Sequence, residues 1–206
     1  MTQTLSREVR DYIEKRGWVK ADYNRVGVFS EGESVYFPIT DYLDNRVGAI
    51  GRSIKSHQYF LRLIAPTCGY FLWHGVEPDR TLFLVEGVFD LGWLLQNGLH
   101  AAAYLNNSLT GAQLRIIQRF YKRVVVIPDT DDEGKRGGAR TVRSLRAAGV
   151  PFAREFSLTV FKDVGACFER GGKSSEYLIQ SLRRLEVPED KTPDLSGSED
   201  SDGEVN

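Results

Sequence analysis

The chain has 206 residues, 41% of them apolar, enough to bury one good core or two small ones. No run of about 18 apolar residues is present to span a bilayer, and no apolar stretch follows the polar segment Met1 to Arg10, so neither a membrane anchor nor a signal peptide is expected. Two isolated cysteines, Cys68 and Cys167, and three histidines, His57, His74 and His100, lack any zinc-ligand spacing, which excludes an intrinsic zinc ribbon and points to a reducing cytoplasm.

The formal charge of −1 hides an asymmetry. Residues 187–206 hold seven acids against Lys191 alone, which leaves 26 basic and 21 acidic residues on residues 1–186. A mildly basic body with an acidic tail suits a protein that handles nucleic acid without being diagnostic of one.

At the N-terminus Ser6 can cap a helix whose apolar residues Val9, Tyr12 and Ile13 share a face and which Gly17 stops. From Val26 to Trp73 the pattern turns to short alternating strands broken at Glu31-Gly32, Asp44-Asn45 and Pro66 to Gly69, which predicts a small, bent antiparallel sheet. Two runs then stand out, Thr81-Leu-Phe-Leu-Val-Glu86-Gly87 and Arg123-Val-Val-Val-Ile-Pro-Asp129-Thr-Asp131. Each is short and apolar on both faces, as in a central strand of a parallel sheet. Between them lie a helix-like segment from Val88 to Asn97, a short apolar run from Ala101 to Tyr104, and a second helix-like segment from Thr110 to Tyr121, giving a βαβαβ reading.

A helix is expected over Lys135 to Ala148, with Val142, Leu145 and Ala148 as its stripe, and Lys135 and Arg136 placed to reach phosphates at its N-terminus. A last strand follows over Phe152 to Leu158, then a helix over Ser174 to Leu185 anchored by Tyr177, Leu178 and Leu185. Beyond Val187 the composition is too polar to fold, and a disordered tail is expected.

In a parallel sheet functional groups gather at the carboxyl ends of the strands, so Glu86, Asp129 and Asp131 could converge although some forty residues separate them. Clustered carboxylates suit a hard cation such as Mg²⁺, shared with substrate phosphates. Three other readings of the Asp cluster stay open. An EF-hand loop would need a bidentate Glu where Arg140 stands. A dehalogenase-type Asp-x-Asp leaves Glu86-Gly87 unexplained, and a solvated acidic turn needs no function at all.

At these residues the sequence resembles the toprim domain of primases, topoisomerases and related nucleases, which carries Glu-Gly after one strand and Asp-x-Asp after a later one. Within that family it is most similar to the bacterial and phage primases. Val85-Glu86-Gly87-Val-Phe-Asp90 resembles their VEGxxD, and Leu105-Asn-Asn-Ser-Leu-Thr110 their LGTxLT. The segment REVRDYIEKRGW is similar to the opening of the primase core, and YFPITDYLDNRVGAIGRSI to its FPIxDxxGxxxGFxGR stretch.

The resemblance implies an α/β fold: a toprim-like parallel sheet flanked by helices, preceded by a small mixed α+β subdomain with bent antiparallel strands. It divides the chain into an N-terminal subdomain (1–78), a toprim domain (79–172), a C-terminal helix (173–186) and the acidic tail (187–206). It also implies a primase that joins ribonucleoside triphosphates on a single-stranded DNA template during replication, with Mg²⁺ or Mn²⁺ as cofactor. Asp129 and Asp131 would hold metal, and Glu86 would act as ligand or as general acid/base. Asp90 and, from the KD of Lys162-Asp163, Asp163 would complete the metal set. Arg52 and Lys55 would lie on a basic track for template and product.

The sequence departs from the family where Gln58 replaces the lysine of KYLNS, where Phe71 to Gly75 lacks the lysine of KGxxLYG, and where Gly165 replaces an acidic residue. With no zinc-ligand spacing, a separate zinc-binding subunit or a replicative helicase is an expected partner, and a phage or mobile-element origin in a bacterial cytoplasm fits. Two rival functions remain: a toprim nuclease or recombination-associated protein, and a replication adaptor that kept the fold and lost the activity.

Overall fold

A computed structural model describes residues 5–63, 76–105 and 108–186. The strand pattern expected from Ile64 to Trp73, the Phe71 to Gly75 motif, Cys68, His74, Asn106-Asn107 and the acidic tail lie outside the described residues.

Ser6 Oγ accepts from the Val9 amide at 3.3 Å and starts α1 (Arg7–Glu14), whose Val9 and Ile13 are wholly buried. Gly17 ends the segment at φ +93°, with the Trp93 indole packed where a side chain would be. A short α2 (Lys20–Val26) follows, which the sequence reading passed over because Val19, at its N-cap, offers no capping side chain. Four antiparallel strands then form one sheet in the order β1 (Phe29–Glu31), β2 (Ser34–Thr40), β3 (Arg46–Ser53), β4 (Tyr59–Leu63), with a register irregularity between Ile39 and Thr40.

The second sheet is parallel. Its strands are β5 (Leu82–Val85), β6 (Ala101–Ala103), β7 (Arg123–Val126) and β8 (Phe152–Glu155), in the spatial order β6-β5-β7-β8. The crossovers are α3 (Val88–Gln96), α4 (Gly111–Phe120) and α5 (Asp132–Ala147). Thr110 and Gln113 form a reciprocal capping box at the start of α4.

Alternation along the strands sorts the core into two layers. Leu82, Leu84, Val124 and Val126 face Ile117 of α4 and Val142 and Leu145 of α5. Phe83, Val85, Val125 and Ile127 face the other way, toward Leu91 and Leu94 of α3, Cys167 of α6 (Val164–Arg170) and Leu178, Ile179 and Leu182 of α7 (Lys173–Glu186). That second layer continues without a break into Val9, Ile13, Trp18, Val35 and Phe37 of the N-terminal subdomain. Trp18 Nε1 donates to Val88 O at 3.0 Å, which pins the two halves together beside the start of α3.

Two expectations are corrected. Tyr177 is no anchor of the last helix: it is 71% exposed, because the buried face runs through Leu178, Ile179 and Leu182, with Leu185 beside it. The helix α6 was unforeseen, although its signals are local, with Asp163 as N-cap and Gly171 at its end. The carbonyl of Leu185 receives Thr81 Oγ1 at 3.0 Å and Arg123 at 3.3 Å, and Glu186 pairs with Arg80 at 2.9 Å. The end of α7 is thereby tied to the amino ends of β5 and β7. Among the described residues no helix is long and apolar enough to cross a membrane.

Candidate active site

Strand register brings the first two carboxylates together. Leu84 pairs with Val126, so the chain leaves the sheet at Glu86 on one strand and, past Pro128, at Asp129 on its neighbour. Gly87 then opens α3, and a Cβ there would lie 2.9 Å from Asp90 Oδ2, so glycine lets Asp90 fold back under the turn. Asp131 caps α5 through Oδ1, which accepts from the Gly134 amide at 2.8 Å. Asp163 caps α6, accepting from Ala166 N at 2.6 Å, and the preceding amide, Gly165 N, donates to Asp90 Oδ1 at 2.9 Å. The two acidic loops are joined where Thr130 N and Oγ1 donate to Lys162 O at 2.8 and 3.1 Å.

These groups border a cavity of about 620 Å³ between the antiparallel sheet and the carboxyl end of the parallel one. Glu86, Asp90, Asp129 and Asp163 line it on the toprim-like side, while Arg16 and Arg52 line it from the N-terminal subdomain. Arg52 Nε donates to the Tyr12 hydroxyl at 2.8 Å, and its guanidinium lies 4.2 Å from the centre of the Tyr59 ring. Arg16 lies over Tyr12 and Phe89 at 5.1 and 4.9 Å. Both cations are thus held in place by aromatic faces, and among the described residues neither is paired with an acid.

The carboxylates act on one another. Burial pushes Glu86 above its ordinary range, with Asp129, Asp131 and Glu133 adding to the effect and the Tyr104 hydroxyl opposing it. Burial also raises Asp129, with Asp163 and Asp131 adding and Lys162 opposing. Asp90 is pushed up to about 7, by burial first and also by Asp163 and Asp129, against the Gly165 hydrogen bond. Among the described residues no three acidic, imidazole or thiol groups form a ready-made metal cluster. The arrangement is an acidic cleft whose members repel one another.

The other expected residues fall outside the cavity. Asp131 is exposed at its rim, and Lys135 and Arg136 point to solvent from α5. Lys55 is paired with Glu33 at one end of the central strands β2 and β3 of the antiparallel sheet. Sequence reasoning missed Arg16, Tyr12, Tyr59, Lys162 and Glu169. Arg16 reads as an ordinary last-turn charge, and only the docking of α1 against Phe89 turns it inward; Lys162 had a local signal in its position before Asp163.

The Toprim-like family matches residues 83–166, the segment that carries Glu86, Asp90, Asp129, Asp131 and Asp163. A DNA primase of Aquifex aeolicus is 37% identical over 76 residues, covering 36% of this chain and 15% of that protein. A DNA primase of Clostridium acetobutylicum is 26% identical over 162 residues, covering 69% of this chain and 27% of its own length. The chain therefore spans about a quarter or less of these relatives. Among solved structures, the zinc-binding and RNA polymerase domains of the Aquifex aeolicus primase superpose with a TM-score of 0.71 at 20% identity, covering 87% of this chain and 55% of that one. Over residues 83–166 the chain is thus similar to the Toprim-like family, and its fold is that of a primase catalytic core.

Proposed function

We propose that the chain synthesises RNA primers, joining ribonucleoside triphosphates on single-stranded DNA. The observation that carries this reading is the cavity itself, which sets a row of toprim carboxylates opposite two aromatic-braced arginines from the preceding subdomain. A cleft with two arginines on one wall facing acids and Lys162 on the other suits a polyanionic substrate that arrives with a divalent cation. The similarity to two bacterial DNA primases supports taking that substrate to be a nucleotide on a template.

The donor set fits a hard divalent cation, Mg²⁺ or Mn²⁺. It offers oxygen ligands only, its carboxylates raise one another's proton affinity, and Glu86 Oε1 is buried with no hydrogen-bond partner among the described residues. Asp129 and Asp131 would hold the cation, with Asp163 and Asp90 behind them. When bound, such a cation lowers the pKa of an attacking 3′ hydroxyl and stabilises the departing pyrophosphate. In the step itself the 3′ oxygen bonds to the α-phosphorus as the bond to the pyrophosphate oxygen breaks. Arg16 and Arg52 bind phosphate oxygens, and Glu86, already raised in proton affinity, is placed either to ligate the cation or to take the hydroxyl proton. A similar primase structure from Aquifex aeolicus joins a zinc-binding domain to its RNA polymerase domain, and a separate zinc-binding subunit that reads the template is the partner this reading proposes.

The test is incubation with single-stranded DNA, labelled ribonucleoside triphosphates and Mg²⁺ or Mn²⁺. Short RNA products are expected. Asp129→Ala and Asp131→Ala should each lower their yield by roughly 100-fold or more; Asp129→Ala should leave the melting temperature unchanged or raised, because removing one of several repelling carboxylates relieves the cation-free protein, whereas Asp131→Ala also removes the α5 N-cap and should cost about 1 kcal/mol. Cleavage of the DNA would move the assignment to a nuclease. Full synthesis by Asp129→Ala would remove the acidic cleft from the chemistry.

A further inference from the structure

Tyr104 leaves β6 directly beside Glu86. Val85 pairs with Ala103 across the two parallel strands, and the Tyr104 amide donates to Val85 O at 3.1 Å, so the next residue on each strand lies side by side with the other. Tyr104 is wholly buried in the apolar layer beneath α4. Its backbone is fixed there, because Tyr104 O accepts from Gln113 Nε2 at 3.3 Å and Gln113 is itself held in the α4 capping box.

The side chain is less well satisfied. Among the described residues the Tyr104 hydroxyl and Glu86 Oε1 are both buried and neither has a hydrogen-bond partner of good geometry. Leaving a hydroxyl unpaired in a core costs about 1–3 kcal/mol, and phenylalanine would fill the same volume without that cost. A phenol carries its proton at neutral pH, and the carboxylate beside this one, across the β5–β6 pairing, is Glu86. A donor thus stands next to a buried carboxylate oxygen that lacks one.

We propose that Tyr104 is a positioning residue for the site: its hydroxyl donates to Glu86 Oε1, holding that oxygen against the α4 layer and leaving Oε2 to face the cavity. A small rotation about the Glu86 side chain closes the contact, and a ligand at Oε2 is what would draw the carboxylate into that orientation. The inference rests on the reading of Glu86 as a working residue of the cleft.

The experiment is a double-mutant cycle of Tyr104→Phe and Glu86→Gln in the full chain, read by Mn²⁺ binding through the free-ion paramagnetic signal, by kcat and KM for nucleoside triphosphate, and by thermal unfolding. Tyr104→Phe should fold with an unchanged or higher melting temperature, weaken Mn²⁺ binding by about 3- to 10-fold, and lower kcat by about 10-fold with KM within about 2-fold, as expected for a misaligned group that is not a binding contact. In the Glu86→Gln background the same substitution should change nothing further. Wild-type kcat and Mn²⁺ affinity in Tyr104→Phe, with Glu86→Gln inactive, would overturn the role of Tyr104 and leave that of Glu86 standing. Equal losses from Tyr104→Phe in both backgrounds, or a melting temperature lowered by more than about 5 °C, would make the hydroxyl a structural group. Full activity and Mn²⁺ affinity in Glu86→Gln would overturn the reading of Glu86 itself.

Discussion

Asp90 shows how the acidic cleft costs stability at a single side chain. Its carboxyl is pushed up to about 7, while in an unfolded chain it returns to about 3.9. Between those values the folded protein holds a proton that the unfolded chain has lost. The stability Asp90 contributes is therefore complete below about pH 4 and disappears as the pH rises through 7, the sign expected for a raised native pKa. Asp90→Asn keeps an acceptor for the Gly165 amide and cannot ionise. In cation-free buffer the variant should grow more stable than the wild type as the pH rises from 5 to 8, reaching roughly 2 kcal/mol, while losing primer synthesis. Denaturant unfolding at several pH values measures this; parallel curves for the two proteins would mean that Asp90 is not the protonated group.

At the level of elements, the approach of α5 to the end of β7 sets the position of Asp129. A Cβ on Gly134 would lie 2.5 Å from Asp129 O and 2.8 Å from Asp129 Cβ, atoms of the main chain and its first carbon that cannot swing aside. Gly134→Ala gains about 1 kcal/mol in helix propensity but must push the Asp129 loop outward, a distortion worth roughly 1–3 kcal/mol. The expected result is little net gain or a loss in melting temperature, with a much larger loss of primer synthesis; a fully active Gly134→Ala protein would show that the loop position is unimportant. The same elements explain what was legible in the sequence. β5 and β7 declared themselves because both faces are buried, so Leu82 to Val85 and Val124 to Ile127 are apolar without interruption, and their ends then placed Glu86 and Asp129. α2 and α6 did not, being seven residues each, too short for a helical period to show. Tyr104 read only as the end of an apolar run, since its hydroxyl acquires meaning through strand register with Glu86, which is a property of the pairing and not of either segment.

At the scale of the whole molecule the cavity exists because two sheets share one core, with Arg16 and Arg52 on one side of it and the acids, together with Lys162, on the other. Arg16 and Arg52 come from the end of α1 and from β3, and the layer running from Val9 and Trp18 to Phe89 and Leu91 keeps them facing the carboxyl end of the parallel sheet. Phosphate contacts made through those cations release counterions from a single strand, so log affinity should fall with log salt by about 0.7 per phosphate engaged. Arg16→Ala and Arg52→Ala should each weaken binding to single-stranded DNA and reduce that slope by roughly one contact. Lys55→Ala is the internal control: its ammonium already pairs with Glu33 and lies outside the cavity, so its affinity and slope should stay near the wild type. Fluorescence anisotropy with a labelled oligonucleotide across a salt series distinguishes the three. If affinity barely changed with salt, no phosphates would be engaged at all; if Lys55→Ala cost as much as Arg52→Ala, the strand would have to run past the Lys55 end of the central strands β2 and β3, and the aromatic-braced arginines would be freed for the triphosphate alone.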